Sequence, residues 1–105
     1  MDKEAIIRNE HENDGQTVNL YYDGLTGMHY AFGWSAYYVT MATEPLLSYS
    51  ESLNMPVAIL TRNDVLELRQ SMPMTERRIK EYYRFQVKKR IGDSGYLKWR
   101  GKKKI

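Results

Sequence analysis

Hydrophobic and polar residues alternate along two stretches that flank a short loop. Every second residue from Val18 to Tyr22 is apolar or aromatic, and the same period of two runs through residues 28–34. The loop between them, residues 23–27, contains two glycines. A period of two is typical of strands, and a loop of this length joins antiparallel strands. The pattern therefore predicts a β-hairpin over residues 17–34.

Two other segments of the amino-terminal half each allow more than one structure. Tyr37, Val39 and Met41 continue the alternation and favour a further strand, while a helix over residues 35–42 is the competing interpretation. Residues 2–11 are compatible with a strand, a short helix or a frayed arm, because only three of them are apolar.

A short helix is predicted next. Thr43 can cap a helix, and Pro45 is favoured in a first turn. The buried face of this helix would consist of three leucines, Leu46, Leu47 and Leu53. The brief apolar run at residues 57–60 is typical of a buried strand.

The clearest helix signal begins at Thr61. The sequence Thr-Arg-Asn-Asp supplies a capping hydroxyl and, at Asp64, an acid that favours the positive end of a helix. Val65 and Leu68 follow at helical spacing, and Pro73 breaks the helix because proline donates no hydrogen bond. We therefore predict a helix that ends just before Pro73.

A second and longer helix is predicted to begin at a cap supplied by Thr75 or Ser71 and to run to Ile91, with Gly92 ending it. Its apolar stripe repeats every three or four residues and consists of Ile79, Tyr82, Tyr83, Val87 and Ile91. Residues 96–100 are predicted to form a last strand or a strap across the core, with Leu97 and Trp99 on one side. The lysines that follow are expected to be disordered.

These elements predict an α+β fold, in which an N-terminal antiparallel β-hairpin or meander packs against two C-terminal helices. The chain has 105 residues, of which 42% are hydrophobic, enough for one modest core. We expect a single domain over residues 1–101, followed by a disordered basic tail at residues 102–105.

Composition excludes several classes of protein. The chain has no cysteine, so disulfides and thiolate metal sites are impossible and a reducing compartment is favoured. The first residues include acids where a secretory signal carries bases, and the longest apolar stretch, residues 28–42, is too short and too polar to span a membrane. We expect a cytoplasmic protein.

Charge is distributed very unevenly along the chain. Residues 1–52 contain two bases and eight acids, whereas residues 53–105 contain fourteen bases and five acids. The segment from Arg77 to Lys104 alone has twelve bases and two acids. Such asymmetry indicates an anionic partner, unless the acidic half packs beside the basic half and neutralises it.

The predicted long helix would place several of these bases on one face, opposite its tyrosine-rich stripe. Such a ridge is the footprint expected for binding to phosphates. The candidate nucleic-acid-binding residues, on this helix and in the segment that follows, are Arg77, Lys80, Arg84, Lys88, Lys89, Lys98, Arg100 and Lys102.

Signals for metal binding and catalysis are weak. Glu10, Glu12 and Asp14 precede Gly15 at alternate positions, but Tyr21 stands where a calcium loop needs a bidentate glutamate. The sequence around Ser35, Gly-Trp-Ser-Ala-Tyr, lacks the closing glycine of a nucleophile elbow, and neither histidine can be placed as its base. We therefore expect no metal, no cofactor and no catalytic activity.

Two functions remain as hypotheses. The first is a non-catalytic protein that docks its basic C-terminal segment onto nucleic acid or a nucleoprotein. The second is a protein–protein inhibitor or adaptor, of the kind encoded by phages and mobile elements, that acts on a host nucleic-acid-handling enzyme. Exposed aromatic residues would be its anchors. A homodimer that pairs the acidic half of one chain with the basic half of another is a further possibility.

Overall fold

A computed structural model describes residues 3–13, 17–71, 74–78, 82–86, 96–99 and 101. Six strands form one sheet in which every neighbouring pair is antiparallel, in the order β3-β4-β2-β1-β6-β5. In chain order the elements are α1 (Lys3–His11), β1 (Thr17–Asp23), β2 (Met28–Phe32), α2 (Gly33–Ala42), β3 (Leu46–Ser50), β4 (Met55–Leu60), α3 (Arg62–Ser71), β5 (Met74–Arg78) and β6 (Tyr82–Gln86). The α+β class is confirmed.

The predicted hairpin is present as β1 and β2. Tyr21 lies opposite Tyr30 in the register, and the loop closes with a hydrogen bond from the Gly27 amide to the Asp23 carbonyl, 2.8 Å long. The Asp23 carboxylate also accepts the amide hydrogen of Leu25. Gly27 has a φ of 72°, which explains the glycine at this position of the loop.

The strand predicted for Tyr37, Val39 and Met41 is wrong, because these residues belong to α2. This helix packs against β1, β2 and β4 on one side and against α3 on another, and most of its residues are buried. A helix that is apolar nearly all round shows no period of 3.6 residues, so its sequence resembles a buried strand. Gly33, with a φ of 54°, turns the chain from β2 into α2.

The short helix predicted after Thr43 is also wrong. Residues 46–50 form β3, which pairs with β4 and is an edge strand of the sheet that the structure describes. Leu46 and Leu47 are 69% and 39% exposed, so they do not form the expected buried face, whereas Leu53 is buried. Backbone pairing with the edge of β4 that β2 leaves open therefore decides the structure of residues 46–50, in spite of the helix cap that Thr43 could form.

The buried strand β4 and helix α3 are confirmed. The Asp64 amide donates to Thr61 Oγ1 over 3.2 Å, and the Thr61 amide donates to Asp64 Oδ2 over 2.9 Å. These reciprocal bonds form a capping box, which satisfies two amides at the start of the helix. Val65 and Leu68 are buried as predicted, and the helix ends at Ser71.

The long helix predicted over residues 75–91 is wrong for the part of it that the structure describes. Residues 74–78 and 82–86 form β5 and β6, while Ile79, Val87 and Ile91 lie outside the described residues. In β6, Tyr82 to Phe85 include three aromatic residues, which favour strands. The strand pairs with the side of β1 that β2 leaves open, and this non-local pairing decides its structure.

The strand or strap predicted at residues 96–100 is a helical turn over residues 96–99. Tyr96 is buried at 7% exposure, and Trp99 packs against the same cluster three residues later. Leu97, expected on the buried side, is 58% exposed. The residues that face the core are thus three positions apart, as in a helix, and the alternation expected for a strand is absent. The tail expected to be disordered, residues 102–105, lies outside the described residues.

The sheet carries a hydrophobic layer on each face. Helices α2 and α3 cover one face, whose buried strand residues are Val18, Leu20, Ala31, Ala58 and Leu60. Helix α1 covers part of the other face, where Ile6 packs with Tyr21, Phe32 and Val57. Within the described ranges, none of the helices has the length and apolarity needed to cross a bilayer.

Replacement of Gly33 by alanine tests the turn between β2 and α2. A Cβ atom at this position would lie 3.2 Å from the Tyr96 hydroxyl, and the φ of 54° disfavours any side chain. We expect Gly33→Ala to lower the free energy of unfolding by about 1–3 kcal/mol in urea titrations. Gly27→Ala is the matched control, since it has a similar φ and open space around it. Equal losses in the two variants would show that the contact with Tyr96 is unimportant.

Candidate functional site

A buried carboxylate lies where α1, β1 and α2 meet. Glu10 is 5% exposed, and four protein donors surround its two oxygens. Oε1 accepts the Ser35 amide at 3.0 Å and the Asn13 side-chain amide at 3.3 Å. Oε2 accepts the Ser35 hydroxyl at 2.8 Å and the Asn19 side-chain amide at 2.9 Å. The carboxylate is thus held by three separate segments of the chain.

This network caps α2 with a residue of another helix, 25 positions earlier in the sequence. Ser35 is the third residue of α2, and its amide is one of those at a helix N-terminus that lack a partner within the helix. The residue before α2 is Phe32, whose side chain cannot accept a hydrogen bond. Glu10, on α1, supplies the missing acceptor and, when it is ionised, a negative charge at the positive end of the helix. Ser35 Oγ also accepts the Asn19 amide at 2.8 Å, which joins β1 to the same cap.

Burial changes the acidity of this group. Loss of solvent raises the pKa of Glu10 from 4.5 to about 7, because a charge is poorly stabilised away from water. The hydrogen bonds from Asn19, Ser35 and Asn13 lower the pKa but do not cancel the effect of burial. The carboxyl group therefore exchanges its proton near neutral pH, which is a property common in functional sites.

A cleft of about 280 Å³ opens beside the carboxylate. Glu10 and His11 line it from α1, Trp34 from α2 and Met55 from β4, and Tyr96 lines it from the C-terminal helical turn. The walls therefore combine polar groups, which include Glu10, His11 and Asn54, with aromatic and apolar side chains. The Glu10 oxygens already accept four hydrogen bonds from the protein, so the other polar groups of the cleft are the ones left to contact a ligand.

An aromatic cluster attaches the C-terminal turn to α2. The rings of Trp34 and Tyr96 are stacked with centroids 4.3 Å apart, and Trp99 lies 5.4 Å from Tyr37. Tyr38 stacks on the other side of the cluster, 5.6 Å from Trp34. Such pairs add to the stability gained from burial, so residues 96–99 are fixed against the start of α2.

Ser35, considered above as a nucleophile, has a structural role in this arrangement. A strand and a tight turn do precede it, but its side chain is fully buried and bonded to Glu10 and Asn19. A substrate therefore has no access to its hydroxyl. His29 lies on β2 against Tyr22, and burial lowers the pKa of its imidazole, which favours the neutral ring. Within the described ranges, no three carboxylate or histidine side chains are grouped as metal ligands.

The structure places three of the predicted nucleic-acid-binding residues. Arg77 lies on β5 and Arg84 on β6, and these strands pair along one side of the sheet, with Glu76 opposite Arg84 and Arg77 opposite Tyr83. Lys98 is exposed on the C-terminal turn. The other five, Lys80, Lys88, Lys89, Arg100 and Lys102, lie outside the described residues. The predicted single helical ridge is therefore replaced, for Arg77 and Arg84, by two adjacent strands.

Two acids that could have neutralised these bases, Glu10 and Glu51, differ in their position relative to Arg77 and Arg84. The carboxylate of Glu10 faces its own buried network. Glu51 follows β3, at the edge of the sheet opposite β5. Five strand spacings of about 4.8 Å separate those two edges, or roughly 24 Å in all. The sheet order therefore separates Glu51 from Arg77 and Arg84. Glu10, in contrast, bonds to Asn19, which lies opposite Arg84 in the pairing of β1 with β6.

The Glu10 network was missed from the sequence, although one signal could have revealed it. Glu10 is four residues after Ile6, and residues four apart lie on the same face of a helix. Once residues 3–11 are helical with Ile6 buried, Glu10 must also face the core. A buried acid requires hydrogen-bond donors, and Asn19 and Ser35 are polar residues among apolar neighbours.

Comparisons with models of protein families, with curated proteins and with solved structures found no match to this chain. What the chain does is therefore inferred from two features of its own: the buried acid beside the aromatic cleft, and the concentration of bases toward the carboxyl end.

Removal of the Glu10 carboxylate tests its role as a cap. Glu10→Ala would leave the Ser35 backbone amide and hydroxyl and the Asn19 side-chain amide buried without this acceptor. We expect the free energy of unfolding at pH 7 to fall by about 2–4 kcal/mol in urea titrations. Glu12→Ala, at an exposed position two residues later, should change it by less than about 0.5 kcal/mol. A loss that is no larger for Glu10→Ala than for Glu12→Ala would contradict the capping role.

Proposed function

We propose that the protein is a non-catalytic binding protein that docks its basic C-terminal segment onto nucleic acid or a nucleoprotein. The observation that carries this proposal is the charge of residues 77–104, which contain twelve bases and two acids. Twelve bases within twenty-eight residues exceed what a solvated protein surface needs for solubility. Such an excess of positive charge favours binding to a phosphate backbone, because the bound bases release the counterions of the phosphates.

The fold supports this proposal by the position of the basic residues. In the described sheet β5 is the outermost strand on one side and β6 is its neighbour, so Arg77 lies on an edge strand and Arg84 on the strand next to it. Lys98 is exposed on a turn that the aromatic cluster fixes to α2. A rigid attachment of this kind lowers the entropy lost when a basic segment binds its partner.

The distribution of acids gives further support. Glu44 and Glu51 flank β3 at the far edge of the sheet, whereas Arg77 and Arg84 lie on β5 and β6. Among the described residues, β5 and β6 carry three arginines and one acid, Glu76, whereas β3 and its two flanking acids include no base, so bases are in excess at the β5 edge. Such an asymmetry orients a protein toward a polyanion during diffusion and accelerates association at low salt.

The test is a filter-binding titration with a duplex DNA and a single-stranded RNA of about 20 nucleotides. Affinity should fall at least tenfold between 50 and 200 mM salt, because phosphates are being neutralised. The double variant Arg77→Gln/Arg84→Gln should bind more weakly and lower the slope of log affinity against log salt by about two.

Arg62→Gln/Arg69→Gln is the matched control, since it removes the same charge from exposed positions on α3. It should leave the salt slope nearly unchanged. Failure of the wild-type protein to retain either nucleic acid at 50 mM salt would rule out the proposal. Equal effects of the two double variants would show that net charge alone, and no particular edge, is responsible.

A protein partner is the second candidate, and the edge strand β3 favours it. Leu46 and Leu47 are exposed there, and an edge strand offers unpaired backbone groups to an added strand. An inhibitor or adaptor that binds a nucleic-acid-handling enzyme could use this edge for the enzyme, with its charges steering the encounter.

The β3 edge is tested by a pull-down from nuclease-treated host lysate. If the strand is the interface, a partner retained by the wild-type protein should be lost with Leu46→Lys, because a charge is placed within the added strand. Leu66→Lys is the control, since Leu66 is an exposed leucine on α3. Retention of the same partner by both variants would exclude β3 as the interface.

A further inference from the structure

The two edges of the described sheet differ in their protection against pairing with a further strand. Three of the five residues of β5 are charged, and its register with β6 is interrupted by a shift between Met74 and Glu76. Charges and bulges of this kind prevent an edge strand from adding another strand. Strand β3, with the sequence Leu-Leu-Ser-Tyr-Ser, contains no charge and no proline, and its register with β4 is continuous. Within the described sheet, β3 is therefore the edge that is open to pairing.

Side chains on both faces of β3 are exposed. Successive residues of a strand point to opposite faces, yet Leu46, Leu47 and Ser48 are all exposed. Leu47 lies opposite Ala58 in the register and hence on the face that α2 and α3 cover, whereas Leu46 lies on the face of α1. At this edge each hydrophobic layer thus ends with a leucine that is in contact with water.

We propose that β3 pairs antiparallel with β3 of a second copy of the chain, about a two-fold axis at Ser48. The interface is isologous, because each copy contributes the same strand. The six-stranded sheets of the two copies join into one, and the outer backbone groups of β3 gain hydrogen-bond partners. This inference does not depend on nucleic acid being the bound partner, and it leaves the β5 edge of each copy outside the interface.

The side chains of β3 are complementary to themselves in this register. Residues directly opposite each other in an antiparallel pair lie on the same face, with Cβ atoms about 4.5–5.5 Å apart. Symmetry about Ser48 places Leu47 of each copy opposite Tyr49 of the other, on the face of α2 and α3. Apolar–aromatic pairs across strands stabilise a sheet, and these two pairs continue the hydrophobic layer from one copy into the other. On the opposite face, Leu46 lies against Ser50.

The size and charge of the interface determine its strength. A strand of five residues spans about 17 Å, so the interface is small and the dissociation constant should be about 1–100 μM. Glu44 precedes β3 and Glu51 follows it, so the symmetry brings Glu44 of one copy near Glu51 of the other at each end. Salt should strengthen this dimer by screening those acids. A dimer held by the acidic half of one chain and the basic half of another would be weakened by salt.

Sedimentation velocity of the full chain measures the association. From about 2 to 500 μM the wild-type protein should change from monomer to dimer, and added salt should not weaken the dimer. Ser48→Lys places two positive charges face to face at the axis and should raise the dissociation constant by about tenfold or more. Gln70→Lys is the matched control, since it adds the same charge at an exposed position on α3 and should leave the dimer unchanged.

Two further variants test the register directly. Ser48→Glu alone should also be monomeric, but its equimolar mixture with Ser48→Lys should form heterodimers, because opposite charges then meet at the axis. The chain has no cysteine, so Ser48→Cys can form a disulfide only between two copies. Mild oxidation should convert it to a covalent dimer much faster than Gln70→Cys, because the axis holds the two sulfurs within bonding reach.

A wild-type protein that stays monomeric at the highest concentration would overturn the proposal and leave the β3 edge to a different protein. Equal dissociation constants for Ser48→Lys and Gln70→Lys, or the absence of heterodimers in the mixture, would refute the pairing about Ser48. Circular dichroism identifies a variant that fails to fold, although lysine is common on edge strands. The oxidation of Ser48→Cys then decides, and a rate equal to that of Gln70→Cys would contradict the proposal.

Discussion

The fold depends on the buried carboxylate of Glu10, which lies on α1 and caps the N-terminus of a different helix, α2. Helix α2 lies at the centre of the molecule, so its first amides lie away from water and need acceptors within the protein. Phe32 cannot supply one, and Glu10 does so from α1, which packs on the opposite face of the sheet. The cap therefore joins the two hydrophobic layers at one end of the sheet. Its cost is the desolvation of an acid, which is why that acid holds its proton up to neutral pH.

Local signals in the sequence were sufficient for elements whose ends are defined by their own residues. The β1–β2 hairpin has a glycine-containing loop, and α3 has a reciprocal cap between Thr61 and Asp64. Elements defined by their neighbours could not be predicted in this way. Helix α2 is surrounded by packing partners and loses its amphipathic period, while β6 is a strand because β1 has an open side. The stripe of apolar residues that includes Tyr82 and Tyr83 predicted a helix, because a local pattern does not show that β1 has an edge free for pairing.

The candidate site could be predicted only in part, for a similar reason. The basic character of the C-terminal segment is a property of composition, so it survives the replacement of the expected helix by β5 and β6. The Glu10 network is a property of contacts between residues up to 25 positions apart, as for Glu10 and Ser35. Ser35 and Glu10 were each noticed in the sequence, but for chemistry that burial excludes. Their role follows from the contact between Glu10 and Ser35 in the folded protein, and a local sequence pattern does not reveal such a contact.

Residues 96–99 connect the capped end of α2 with the basic part of the sequence. This turn lies beside Glu10 through Tyr96 and continues into a basic segment. The aromatic stack between Trp34 and Tyr96 is the packing that fixes this turn to the capped end of α2.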